Sequence, residues 1–202
     1  MTEKCRGDLW SPADKRKYHP LLDRINELLA AEPLVLVAID GDAAAGKSTL
    51  ADALGALYDC NVLRMDHFFL RPEQRTEARR KEPGGNVDYE RFLTEAQTPI
   101  RAGETATYRP FDCKTFTMGE EMTHAPKQLN IIEGAYSLHP TLAAPYHIKV
   151  CLTIDPEEQL RRIRARNGEE MAERFRDEWI PLEKRYFDEF DIASQCDFIF
   201  HT

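Results

Sequence analysis

The chain has 202 residues, 42% hydrophobic and 31% charged, with 27 Lys and Arg against 35 Asp and Glu for a net charge of −8. Residues 1–202 are long enough for a single domain with a sizeable core, and no apolar run approaches the roughly 20 residues of a membrane-spanning helix, so no membrane partner is expected. The acidic balance disfavours nucleic acid as a partner, because such binding rests on neutralising phosphates.

MTEKCRGDLWSPADKRKYH carries charges and no apolar centre, so a signal peptide is not expected. Cys5, Cys60, Cys113, Cys151 and Cys196 are odd in number and form no C-x-x-C pair. They read as reduced thiols of a cytoplasmic protein, with neither a disulfide frame nor a zinc site.

In chain order, residues 1–18 read as loosely ordered. HPLLDRINELLAAEP sets Leu21, Leu22, Ile25, Leu28 and Leu29 at helical spacing, and Pro33 ends it. LVLVAID is an unbroken apolar run, as in a strand buried on both faces of a parallel sheet. A helix follows over about 47–58, and NVLRMD reads as a second strand. RPEQRTEARRKEPGGN is a charged excursion ending in a turn. Residues 104–128 hold β-like pieces. LNIIEG, HIKVCLTID and CDFIF complete five strands. Asp155 caps a helix that opens with Pro156 and stops at Asn167-Gly168. A further helix over 169–190 is interrupted near Pro181. Strands alternating with helices predict a mostly parallel five-stranded sheet with helices on both faces, a three-layer α/β sandwich.

The first strand runs into GDAAAGKS at 41–48, a full match to the phosphate-binding P-loop. The glycines let backbone N–H groups turn inward onto an anion, and the helix that starts at Lys47 adds its positive end. Gly41, Asp42, Ala43, Ala44, Ala45, Gly46, Lys47, Ser48 and Thr49 are therefore the candidate nucleotide contacts. Lys47 would reach the β- and γ-phosphates, and the Ser48 hydroxyl would ligate Mg²⁺. Asp40 and Asp42 beside the loop either face away from the phosphates or help to hold the metal.

Three outcomes of such a loop compete. A GTPase needs a base-reading N-K-x-D, and none is present. A motor ATPase usually ends an apolar strand in paired acids, whereas LNIIEG ends in the single Glu133. A small-molecule kinase needs a carboxylate near the acceptor hydroxyl and cations over the phosphates. Asp66 at the end of the second strand meets the first need, since carboxyl ends of strands face the ligand crevice. Arg162 and Arg166, four apart on one helix face, meet the second.

The sequence resembles the uridine kinase family of P-loop kinases, with its nicotinamide riboside kinase, phosphoribulokinase and pantothenate kinase relatives. The resemblance rests, in order, on GDAAAGKST, MDHFF, GGNVDYERF, IIEG and DPEEQLRRIRARN. It implies ATP and Mg²⁺ as cofactors, a helical lid within 156–190, and a small hydroxylated acceptor, foremost a nucleoside. It implies that Asp66 orients or deprotonates the acceptor hydroxyl and that Asp88 bonds sugar-type hydroxyls. Glu133 would hold Mg²⁺, Arg162 and Arg166 would stabilise the transferring phosphoryl, and Phe69 and Phe111 would wall the acceptor pocket. For Asp88 an ordinary turn carboxylate is the alternative, for the arginines a solvated helix face, and His67 reads as structural. The chain departs from the family in YRPFDCKTF, which lacks the expected histidine, in Phe69 where tyrosine is common, and in a lid without R-D-x-x-x-R-G-R. Nicotinamide riboside, pantothenate or a sugar phosphate stay open as acceptors. So do a non-catalytic nucleotide-binding module and homo-oligomerisation.

Overall fold

The computed structural model describes residues 11–202. All seven residues of strand β1 (Val35–Gly41) are buried, as its unbroken apolar run requires. Its side chains alternate between two cores. Val35, Val37 and Ile39 pack under helices α1 (Pro12–Ala31) and α2 (Lys47–Leu57), against Leu21, Ile25, Leu50 and Leu54. Leu36 and Ala38 face the opposite layer. That layer is built on α4 (Tyr89–Phe92), a π-helical turn (Leu93–Gln97) and α5 (Thr98–Arg101), with Phe92, Ala96 and Ile100 supplying the apolar contacts, while the short α3 (Glu77–Lys81) before them buries no side chain.

The other strands are β2 (Cys60–Arg64), β3 (Ala106–Tyr108), β4 (Phe111–Asp112), β5 (Thr117–Met118), β6 (Met122–His124), β7 (Leu129–Glu133), β8 (Ile148–Thr153) and β9 (Phe198–His201), with the short α6 (Pro140–Ala143) before β8. The central sheet is wholly parallel, in the order β2-β7-β1-β8-β9. This is the predicted five-stranded, three-layer α/β sandwich. The β-like pieces of 104–128 form two small antiparallel ribbons, β3 with β6 and β4 with β5.

After β8 the chain builds α7 (Pro156–Asn167), α8 (Glu169–Arg174), a π-helical turn (Phe175–Trp179) and α9 (Ile180–Glu189). Asp155 caps α7 as expected, accepting from the N–H groups of Glu157 and Glu158 at 2.9 and 3.3 Å. Ile163, Ala172 and Ile180 of this arm form a small third core with Ala43 of the loop after β1.

One expectation needs correction. Of the residues expected to be loosely ordered, 12–18 are helical. A capping box explains the early start: the Asp14 N–H donates to Ser11 Oγ at 3.1 Å and the Ser11 N–H to the Asp14 carboxylate at 3.1 Å. Tyr18 then packs edge-on to Phe200 with ring centres 4.9 Å apart. The remainder of that expectation lies outside the described residues, as does Cys5. Cys60, Cys113, Cys151 and Cys196 are free thiols. Among the described residues no helix is long and apolar enough to cross a membrane.

Candidate active site

The loop between β1 and α2 is shaped by backbone conformations that few side chains tolerate. Gly41 has φ +130°, and a Cβ there would lie 2.0 Å from the Leu152 carbonyl oxygen. Gly46 caps α2 with φ +96°, and a Cβ there would meet nothing within 4 Å, so the loop is open on that side. Ala44 also lies in the left-handed region, at φ 60°. The N–H groups of Gly41, Asp42, Ala43 and Ala45 are taken by Asp40, the Leu152 carbonyl, Glu183 and the Asp42 carbonyl, which leaves those of Ala44, Gly46 and the first turn of α2 for an anion, where the positive end of α2 also arrives. Lys47 lies over the loop and donates to the Gly41 and Asp42 carbonyls at 2.7 and 2.9 Å. An ammonium has three donors, so one remains for a phosphate oxygen.

The two aspartates that sequence reading left open both turn away from this concavity. Asp40 is fully buried and is a structural hub. It accepts from the N–H groups of Gly41 (2.7 Å), Tyr136 (3.2 Å) and Leu138 (3.0 Å) and from the Tyr186 hydroxyl (2.8 Å). Burial pushes its pKa up, and the bonds from Leu138, Gly41 and Tyr186 together with the charge of Lys47 oppose the rise. Asp42 accepts from the Ile154 N–H at 3.1 Å, and burial raises its pKa too.

At the far side of Lys47 a chain of polar contacts leads toward the crevice. Ser48 Oγ donates to the Glu133 carboxylate, 3.2 Å from both oxygens. Arg64 Nη1 donates to the same carboxylate at 2.7 Å, and Nη2 reaches Asp52 at 2.6 Å. Strand register explains the meeting, because Glu133 ends β7 beside Ile39 of β1 and Arg64 of β2. Glu133 is 3% exposed. Burial raises its pKa first and the charge of Asp66 second, while Arg64 and Lys47 pull it down. Asp66 stands on the 3-10 turn Met65–Phe68 that follows β2. It is exposed and accepts no hydrogen bond among the described residues.

The residues expected to read the acceptor are more committed. Asp88 is 4% exposed. One oxygen caps α4 by accepting from the Arg91 N–H at 3.0 Å, and the other accepts from Gln74 Nε2 at 2.6 Å. A cleft of about 260 Å³ opens beside it, lined by Leu70, Gln74, Arg79 and Glu90 as well. Phe69 is half-buried and bridges to Val87, and Phe111 is buried under Phe116, with Arg75 over both rings. His67 lies inside a packed group, its Nδ1 3.1 Å from the Tyr108 hydroxyl, and burial lowers its pKa.

Of the two arm arginines, the fold brings one to the loop. Arg162 donates to the Ala44 carbonyl at 3.3 Å and to Glu158 at 2.7 Å. Arg166, at the exposed end of α7, bonds its neighbour Asn167.

Sequence reading missed four residues of the site. Arg64 could have been found, since it is the last residue of β2, two before Asp66, at the carboxyl end of the sheet. Tyr186, Gln159 and Glu183 carry no local signal. Gln159 Nε2 donates to the Ala43 carbonyl at 3.0 Å, and the Ala43 N–H donates to Glu183 Oε2 at 3.0 Å.

A buried strand, a G-D-A-A-A-G-K-S loop and a helix, set in a parallel sheet with both faces covered, define a P-loop NTPase fold. The structure of a possible uridine kinase from Bacillus stearothermophilus is similar over 90% of this chain and 99% of that one, with a TM-score of 0.63 and 18% identity, which shows a shared fold. A shikimate kinase from Bacteroides thetaiotaomicron is a more distant likeness, 17% identical over 83% of this chain and 85% of that one at a TM-score of 0.39. No protein-family model and no curated protein matches the chain.

Proposed function

We propose that the protein is a kinase that binds ATP with Mg²⁺ and transfers the γ-phosphoryl group to a hydroxyl of a small acceptor, foremost a nucleoside such as uridine or cytidine. The observation that carries this reading is the continuity from Lys47 and Ser48 through Glu133 to Arg64, with the unbonded Asp66 carboxylate near enough to raise the pKa of Glu133. The phosphate loop and the candidate acceptor carboxylate lie at the same, carboxyl end of the sheet, which supports this reading.

Ser48 and Glu133 offer hard oxygen donors side by side at the mouth of the loop, and Mg²⁺ takes such donors together with phosphate oxygens and waters. The residues fit the ion, which would neutralise charge on the phosphates when bound. The loop amides and Lys47 hold the triphosphate in line. Asp66 accepts a hydrogen bond from the acceptor hydroxyl and aims its oxygen at the γ-phosphorus. As the new O–P bond forms and the bond to the ADP oxygen breaks, the hydroxyl proton passes to Asp66. A carboxylate is a weak base for an alcohol, so that transfer comes late and orientation does most of the work. Arg162 is stationed to follow charge on the transferred group.

A sugar phosphate is the second acceptor that the basic run 71–81 supports. Arg71 pairs with Glu73 (3.4 Å), Arg79 with Glu90 (2.6 Å) and Lys81 with Glu77 (2.6 Å), while Arg75 and Arg80 have no ion pair among the described residues and could meet a second phosphate.

The test is ATP consumption with Mg²⁺ against a panel of nucleosides, vitamin precursors, sugars and sugar phosphates. One hydroxylated acceptor is expected to stimulate turnover strongly, and Lys47→Ala to abolish it in a protein that still folds. ATP binding without stimulation by any acceptor would favour a nucleotide-binding module instead.

A further inference from the structure

Glu183 is a carboxylate where an anion-binding loop would least be expected to keep one. It is 7% exposed, sits in the first turn of α9, and takes the N–H of Ala43, the third residue of the phosphate loop, at 3.0 Å. No arginine or lysine bonds it among the described residues. The groups that face it are Lys47 of α2, Asp40 of β1, Asp42 of the loop and Tyr136 after β7, with Lys184 and Arg185 following it on α9. From α7, Gln159 and Arg162 hold the carbonyls of Ala43 and Ala44 beside it. Lys47 is the cation that offsets the buried Glu183, against the two further carboxylates of Asp40 and Asp42, and Lys184 also acts on Asp42. Any triphosphate seated on the same loop brings several more negative charges against this carboxyl with little water to screen them.

We propose that Glu183 is the proton-linked positioning residue of the loop: a triphosphate entering the site is accompanied by one proton taken from solvent onto the Glu183 carboxyl. This rests on the reading of the loop as an ATP site. The step is a plain protonation, carboxylate plus proton to carboxylic acid, with no bond to substrate. The neutral acid keeps a carbonyl oxygen with which to accept from the Ala43 N–H, so the grip of α9 on the loop survives in both states. The ionised form is the one that repels nucleotide. Burial already pushes Glu183 up to about 7, with Asp40 and Asp42 adding to the rise and Lys47 opposing it, so the change falls within the ordinary working range of pH.

Titration calorimetry of MgATP at pH 8 in Tris and in Hepes reads the proton directly, because the two buffers differ in ionisation enthalpy. Uptake of about one proton per ATP is expected in the wild type, and none in Glu183→Gln, which keeps the acceptor oxygen and the volume but has no charge to lose. The wild-type affinity alone gives a second reading: Kd should weaken by up to about tenfold per pH unit above 7. ATP binding with an enthalpy independent of buffer, or equal proton uptake in Glu183→Gln, would overturn the proposal while leaving the ATP site standing. Absence of any ATP binding would overturn the ATP site itself, and the proposal with it.

Discussion

Asp66 and Tyr186 show two ways in which a polar side chain earns its position. Asp66 is exposed and unbonded, so its removal should leave the fold and ATP affinity near normal while transfer falls by a factor of 10² or more, about the range of a positioned base. Calorimetry and turnover of Asp66→Ala check the two halves separately; weakened ATP binding with surviving transfer would make Asp66 structural. Tyr186 is fully buried with its hydroxyl 2.8 Å from Asp40. Tyr186→Phe strips one donor from a buried carboxylate and should lower stability by about 1.5–3 kcal/mol in a denaturant titration. Single residues were legible in the sequence when position in a strand announced them. Glu133 ends β7 and Asp66 stands on the turn just after β2, both at the carboxyl end of the sheet. Tyr186 and Glu183 meet partners more than a hundred residues away, and nothing in IPLEKRYFDE marks either as more than a face of a helix.

At the scale of elements, the punctuation of the chain carried most of the information. Asp155, Pro156 and Gly168 bound α7 where their chemistry says they should. Ser11 and Asp14 give the same signal for α1, and the charged residues around them hid it. The loop is the strictest element. Gly41→Ala forces a Cβ to 2.0 Å from the Leu152 oxygen, where backbone must move, so a soluble variant is expected to lose ATP binding altogether. Ile163 offers a graded test of the arm. It is fully buried against Ala43, Ala172 and Ile180, and Ile163→Ala should cost about 2–5 kcal/mol by thermal or denaturant melting, less if the arm collapses into the space.

For the whole molecule, the five-strand order was foreseeable in class and not in detail. Buried runs and helix signals dictate a parallel sheet, while the order β2-β7-β1-β8-β9 depends on crossovers that local patterns do not encode. Stability against pH is likewise a property of the whole. Folding raises Glu183 from 4.5 to about 7, so the folded chain holds a proton the unfolded chain has lost, and this contribution falls as pH climbs through that window. Folding lowers His139, stacked 4.0 Å from Tyr89, from 6.5 to about 4, so below 6.5 the unfolded chain takes the proton and stability falls as pH drops. Each effect amounts to about 3 kcal/mol, with opposite sign, over nearly the same interval. Glu183→Gln should therefore tilt the stability curve upward with pH between 4.5 and 7 relative to wild type, and His139→Gln should tilt it downward. Parallel melts across that range, compared as differences, remove the contribution of every other group.

The arm after β8 is fastened to the loop at both of its roots, by Gln159 near the start of α7 and by Glu183 near the start of α9. A flap pinned at both ends does not swing like a door. Whatever motion admits and releases nucleotide belongs to its outer corner, where Asn167 and Gly168 join α7 to α8. Amide hydrogens there should exchange quickly while those near Ile163 stay protected, a gradient along a single helix.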